Sequence, residues 1–259
     1  MFTLKKIAGL LNKEWVLYRV WLFSGIFIGI MLSMVIPYLI RRYSDEFTME
    51  NQLPFFFSIL VLMLGGFFSV LQYLVSIRND LRTKEIWLHS TSSIAQLIGV
   101  KIVFSLIGYA IFNFIFVSIA IYNIKDEIIG SFAQILSLLT LVVAIIVIFQ
   151  LMMFVLVLLF FAFNLQMKHF IGNFSVVITM VTFFISMNAW LKFTGSKLYD
   201  NIFHHIGIPL TGLEPFFPKS STMNLSLGTM YIVDEVATFI LVAILFIIAT
   251  KWLEKVVLR

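Results

Sequence analysis

Residues 132–165 read FAQILSLLTLVVAIIVIFQLMMFVLVLLFFAFNL, 34 consecutive positions without one Asp, Glu, Lys, Arg or His. An α-helix rises about 1.5 Å per residue, so roughly 20 apolar residues cross the ~30 Å hydrocarbon core of a bilayer. The same absence of charge recurs over residues 21–40, 54–77, 102–123 and 171–191. A sixth stretch, 237–250, reaches spanning length when 231–236 extends it outward. With 61% hydrophobic residues and a mean hydropathy of +1.04, most of the chain is suited to lipid. In lipid every backbone polar group must be satisfied internally, and helices do this segment by segment. The expectation is an all-α polytopic membrane protein with six transmembrane helices.

Six spans leave little of the 259 residues for anything else. No connecting segment approaches the ~50 residues that a soluble domain needs, so 1–259 reads as a single transmembrane domain. The chain has no Cys, which excludes a disulfide framework, a thiol nucleophile and Cys-ligated metal. The first apolar stretch is too long for a signal-peptide core and lacks a small-residue cleavage site, so a cleavable leader is not expected. The net charge of +5 sorts by side. With the N-terminus cytoplasmic, 12 Lys/Arg fall inside and 6 outside, while 4 Asp/Glu fall inside and 9 outside. Basic residues in short loops set orientation, which places both termini in the cytoplasm. The basic balance therefore reads as topology and contact with anionic lipid rather than nucleic-acid binding.

Outward from the spans, residues 2–19 carry Leu4, Ile7, Leu11, Trp15 and Tyr18 every three or four positions, with Lys5, Lys6, Lys13 and Glu14 off that stripe. This predicts an amphipathic helix lying in the interface before the chain turns into the membrane, in preference to a plain extension of the first span. Pro54 suits the first turn of the second span. The fourth stretch exceeds what a bilayer needs and is expected to tilt or to project. The long outer excursion, 192–230, contains two apolar pieces, 202–210 and 213–217, each too short to cross. With Pro209, Pro215 and Pro218 in or beside them, they are expected to be short re-entrant helices packed on protein. Phe is abundant at 29 residues; lipid-facing bulk explains this more simply than a greasy path for cargo. Trp21, Trp190 and Trp252 sit at span ends, as interfacial anchors do.

Chemistry inside the spans is sparse. Ion-coupled carriers keep intramembrane carboxylates, histidines or arginines, and none falls inside the first five stretches. Ser33, Gln72, Asn113, Gln150 and Thr182 read as helix–helix hydrogen-bonding groups. No Gly-rich loop ending in Gly-Lys-Ser/Thr is present, so ATP is not held by this chain in that manner. His204 and His205 are adjacent, with Asp200 and Glu214 the conceivable co-ligands. Neighbouring residues diverge on a helix, so no metal site is expected and no catalytic residue is assigned.

The most polar inner segment is 76–101, SIRNDLRTKEIWLHSTSSIAQLIGVK. Its core, 80–89, mixes Leu81, Ile86, Trp87 and Leu88 with Arg82, Lys84 and Glu85, and Ser90–Ser93 offers an N-cap for the next helix. A short amphipathic helix with a Trp suits docking into a groove of a soluble partner, or equally the lipid headgroups.

Taken in order, these features resemble the membrane subunits of type-2 ABC (ATP-binding cassette) exporters over nearly the whole chain. The resemblance rests on a lead-in helix with Lys13-Glu14-Trp15, six spans and cytoplasmic termini. It rests also on the 78–93 loop and the entry to the third span, with Asp80, Lys84-Glu85-Ile86-Trp87-Leu88, Ser92 and Leu97-Ile98-Gly99-Val100-Lys101. An outer re-entrant piece between spans five and six completes it. The family's Thr-Pro after the coupling helix is Thr91-Ser92 in this chain. Within the family, the chain looks closest to Gram-positive permeases for peptide export, lantibiotic immunity and cell-envelope antibiotic response.

The resemblance implies a half-transporter that pairs with an identical or homologous second permease. Separate cytoplasmic ATPase subunits would bind the ATP and Mg, with no cofactor in this chain itself. It implies an ATPase-docking coupling helix carrying Asp80, Arg82, Glu85, Trp87, Leu88 and Ser90. It also implies a cargo route along spans one, two and five involving Ser33, Met34, Phe67, Phe68, Gln72, Phe183 and Phe184. The cargo would be hydrophobic or amphipathic. The competing readings are a sensor or immunity subunit that captures a peptide at the outer leaflet, then an ion-coupled carrier or a membrane enzyme.

Overall fold

The structure is a computed structural model that describes residues 2–43, 53–82, 93–125, 128–220 and 227–257. Five helical stretches are long and apolar enough to cross a membrane: Lys5–Tyr43, Leu53–Arg82, Ile94–Asn123, Phe132–Thr194 and Ile232–Val256. The described chain is thus an all-α polytopic membrane protein in its main elements. It divides into two compact units, Met1–Leu151 with Pro215–Leu225, and Met152–Glu214 with Ser226–Arg259.

In the first unit, α1 (Phe2–Ile30) runs without a break into a π-helical turn (Met31–Val35) and then α2 (Ile36–Tyr43). This corrects the expectation of a separate interfacial helix that turns before the span. No Gly or Pro interrupts residues 10–24, and nothing in that run stops helix propagation. The break comes later and has an identifiable cause. Pro37 has no N–H to offer the Ser33 carbonyl, and its ring crowds that carbonyl. The helix widens just before it, with the Ile36 N–H bonded to the Met31 carbonyl five residues back.

Helix α3 (Leu53–Arg82) begins with Leu53-Pro54, and α4 (Ile94–Asn123) begins at a capping box. The Ser93 hydroxyl accepts from the Gln96 N–H, and the Gln96 side chain accepts from the Ser93 N–H. The N-cap expected within Ser90–Ser93 is therefore Ser93. The buried residues of α3 are Ser58, Val61, Gly65, Ser69, Gln72, Tyr73, Ser76, Ile77 and Asp80, most of them small or polar. Many of its large apolar side chains, among them Leu60, Met63, Leu64, Phe67 and Leu71, are exposed, while Tyr73 and Ile77 are fully buried. That inversion of a water-soluble helix is what lipid demands, because apolar bulk needs no burial there and small residues let backbones approach. Gly29 and Gly65 show the approach directly: a Cβ on either would come within 2.3 Å of the Phe116 or Phe112 ring respectively. Those rings, with Val61, form a core on which Ile26, Ile30 and Leu62 pack.

The strand β1 (Ile128–Ile129) pairs antiparallel with β3 (Lys219–Ser220). Helix α5 (Phe132–Ile171) carries the long apolar stretch; its 40 residues are about 60 Å of helix. Near its start Ser137 and Gln134 donate to the carbonyls of Phe216 and Pro215.

The second unit contains the C-terminal half of α5, a 3-10 turn (Gly172–Phe174) and α6 (Ser175–Thr194). Gly172 takes φ 58°, a left-handed value that a residue with a Cβ rarely adopts, so it marks the break between the two helices. Phe160 meets Phe183 edge-on at 5.1 Å between ring centroids, and Asn164 donates to Thr179. The remaining elements are α7 (Lys197–Phe203), β2 (Gly207–Pro209), a 3-10 segment (Leu210–Phe216) whose last two residues belong to the first unit, β4 (Thr229–Tyr231) and α8 (Ile232–Val257). β2 and β4 pair antiparallel, Gly207 with Tyr231 and Pro209 with Thr229. The helix expected across 202–210 is therefore not formed: it stops at Phe203 and gives way to a strand. Gly207 and Pro209 disfavour helix, and pairing with β4 satisfies the backbone instead. The piece expected at 213–217 is 3-10 in form through Phe216, with Pro215 inside it.

Candidate functional site

Three helices of the first unit converge on one ammonium group. Glu14 and Tyr18 lie one turn apart on α1, Ser76 and Asp80 one turn apart on α3, and such spacing puts each pair on one helix face. Lys101 stands two turns beyond the Ser93 cap on α4. Lys101 Nζ donates to Glu14 Oε1 at 2.6 Å and to Ser76 Oγ at 2.5 Å, and lies 2.9 Å from Asp80 Oδ2. An ammonium has three N–H groups, and all three are matched. The Ser76 hydroxyl donates onward to Glu14 Oε2 at 2.7 Å, and Lys13 Nζ donates to Asp80 Oδ1 at 3.2 Å. Asn79 donates to the Tyr18 hydroxyl at the edge of this network.

The centre of the cluster is sealed, with Lys101 2% exposed and Glu14 3%, while Lys13 stands partly exposed at its edge. Desolvating such groups is costly, and the attraction offsets it only when the hydrogen bonds are complete, as they are for Lys101. A fully engaged, inaccessible Ser76 has no path to a substrate. The arrangement is a clamp that ties the last turns of α3 and the first turns of α4 to α1.

Of the residues singled out from sequence, the structure gathers Lys13, Glu14 and Asp80 into this clamp, together with Lys101. Trp15 lies off it, partly exposed, with its ring edge-on to Phe23. Arg82 is exposed at the end of α3. Glu85, Trp87, Leu88 and Ser90 lie outside the described residues.

The residues assigned to a cargo route separate into three places. Phe67 and Phe68 stand on the walls of a groove of about 270 Å³ between α1 and α3, and Gln72 lines a narrower cleft that shares Phe68 with it. Ser33 lies in the π-helical turn, fully buried, with no hydrogen-bond partner for its hydroxyl among the described residues. Met34 beside it is exposed. Phe183 packs on Phe160 in the second unit, and Phe184 is exposed. Gln150, read as a helix–helix group, is one: it donates to Ser69 Oγ at 2.7 Å and to the Gly66 carbonyl.

The second unit holds a polar cluster of which the sequence suggested only Asp200 and His204. Tyr199 donates to Asp234 Oδ1, and His204 Nδ1 is 3.0 Å from Asp200 Oδ1. His204 stacks on Tyr231 at 4.1 Å between ring centroids. Burial first, then the Asp234 acceptor and the neighbouring carboxylates, push the Tyr199 phenol up to about 12. The i, i+4 spacing of Asp200 and His204 is a local signal; that Tyr199 would meet Asp234 on a different helix was not legible. Among the described residues, no three His, Asp or Glu side chains converge as metal ligands.

No protein family matches the chain, and neither the curated proteins nor the solved structures include a match to it.

Proposed function

We propose that this chain is the permease half of an ATP-driven exporter of a hydrophobic or amphipathic cargo, energised by a separate ATPase that docks on the loop between α3 and α4. The carrying observation is the clamp around Lys101. Asp80 and Lys101 stand just before and just after that loop, and both are held to α1 by Glu14 and Lys13. A partner that pushes on the loop therefore moves α1 together with α3 and α4, rather than bending the loop alone. Coupling then amounts to a difference in the partner's affinity for two arrangements of these helices.

In this reading the protein crosses the membrane six times. Residues 132–194 make two crossings that reverse at Gly172, and both termini face the cytoplasm with the basic residues. A second permease copy, identical or homologous, completes the transporter. The test is purification from native membranes in mild detergent, followed by an ATPase assay. Co-purification of an ATP-hydrolysing subunit is expected, and its loss in Asp80→Ala at unchanged membrane level would tie docking to the clamp. Recovery of the chain alone, without a nucleotide-binding partner, would overturn the reading.

The alternative is a subunit that captures a peptide without moving it. The exposed Phe216 of the 3-10 segment favours it. Peptide binding that persists with no ATP-dependent transport in sealed vesicles would select it.

A further inference from the structure

The groove between α1 and α3 is lined by apolar atoms along its length, with Gly25, Ile28 and Gly29 on one side and Leu64, Phe67 and Leu71 on the other. It exists because Gly25 and Gly29 withhold side chains: a Cβ on Gly25 would stand 3.0 Å from the Phe68 ring. The groove shares Gly25, Gly65, Phe68 and Phe112 with a narrower cleft that also carries Ser69, Gln72 and Tyr109. One feature of that cleft points to a ligand. Gln72 as a whole is 8% exposed and lines the cleft, and its amide makes no hydrogen bond among the described residues. Its neighbours on the same face are satisfied, since Ser69 donates to the Gly66 carbonyl and accepts from Gln150. An amide that opens into an apolar cleft with no protein partner has as its natural complement a group that both gives and takes a hydrogen bond.

Among the described residues, no charged side chain lines the groove or the cleft. An ionised group placed there would be buried unpaired, which the low-dielectric surroundings oppose strongly. We infer that the groove binds the apolar chain of an uncharged amphiphile, with the chain along Leu64, Phe67 and Leu71 and a neutral hydroxyl, ester or amide end on Gln72. Both helices belong to stretches apolar enough to cross a membrane, so such a ligand enters sideways from the bilayer. Calling the ligand cargo rests on the exporter reading; its binding does not.

The experiment uses the full chain in nanodiscs without ATP or any ATPase, so it succeeds or fails independently of transport. A monoacylglycerol carrying a photoreactive diazirine on its chain is cross-linked and the labelled peptides are mapped. Labelling is expected within 25–32 and 61–72, competed at least tenfold better by plain monoacylglycerol than by the fatty acid of equal length at pH 9. Gln72→Leu is expected to lower labelling about tenfold. Leu64→Trp fills the groove from an exposed position that does not threaten the fold, and is expected to abolish it. Labelling spread evenly over all apolar helices and uncompeted would overturn the inference, as would equal competition by the ionised fatty acid. Because the chain has no Cys, Leu64→Cys also reports on a second copy. Efficient disulfide dimerisation at that position with loss of labelling would show that protein, not an amphiphile, fills the groove.

Discussion

Lys101 and Glu14, 87 residues apart in sequence, meet at 2.6 Å inside the first unit, where both side chains are buried. Removing one member of such a pair strands the other, and the cost is that of an uncompensated buried charge, about 3–5 kcal/mol. Lys101→Met, which strands Glu14 and takes one of its cations from Asp80, is expected to be the most damaging. Glu14→Gln leaves Lys101 with Asp80 and is expected to cost less. Lys13→Ala removes a partly exposed partner and is expected to cost no more than about 1 kcal/mol. Thermal unfolding of the purified variants in one detergent checks the order. In the double variant Lys101→Met/Glu14→Gln the losses should be clearly less than additive, since the two groups act as a unit.

Gly29 faces the ring of Phe116, which is fully buried and has nowhere to swing. Gly29→Ala is expected to destabilise by about 1–3 kcal/mol through overpacking. Adding Phe116→Leu should recover part of that loss, whereas Phe116→Leu alone should be destabilising. A double-mutant cycle on melting temperature reads the sign of the coupling.

Pro37 is the cause assigned to the π-helical turn at Met31–Val35. Pro37→Ala restores an N–H for the Ser33 carbonyl and is expected to stabilise the helix by up to about 3 kcal/mol. Hydrogen exchange of the amides of residues 35–38 should slow. Unchanged exchange there would mean that packing, and not the proline, widens the helix.

The Tyr199 phenol lies near pKa 12 in the folded protein against an ordinary value of 10. A raised acid holds its proton more tightly folded than unfolded, so its contribution to stability is complete below pH 10. That contribution falls as pH rises from 10 toward 12. Absorbance titration of phenolate should show a late-ionising component that Tyr199→Phe removes and that Asp234→Asn brings earlier.

That the chain is built of long apolar helices was legible because the signal is local: an uncharged run of 20 or more residues is suited to lipid whatever surrounds it. That a cap for α4 lies within residues 90–93 was legible for the same reason, since a cap is a local feature; the structure picks Ser93 and closes its box with Gln96. The continuity of α1 was misread because an amphipathic stripe at 2–19 describes which face is apolar and is silent on whether the helix bends after it. The strand pairing of Gly207–Pro209 with Thr229–Tyr231 was missed because its partner is remote in sequence, and a three-residue strand has no periodicity of its own. The clamp stands between these cases. Lys13, Glu14, Asp80 and Lys101 were each conspicuous as charges bordering apolar runs, but charge type alone does not say which cation meets which carboxylate. That pairing depends on how α1, α3 and α4 rotate about their axes. The rotation is set by small residues such as Gly29 and Gly65 meeting Phe116 and Phe112, contacts distributed across three distant segments of the chain.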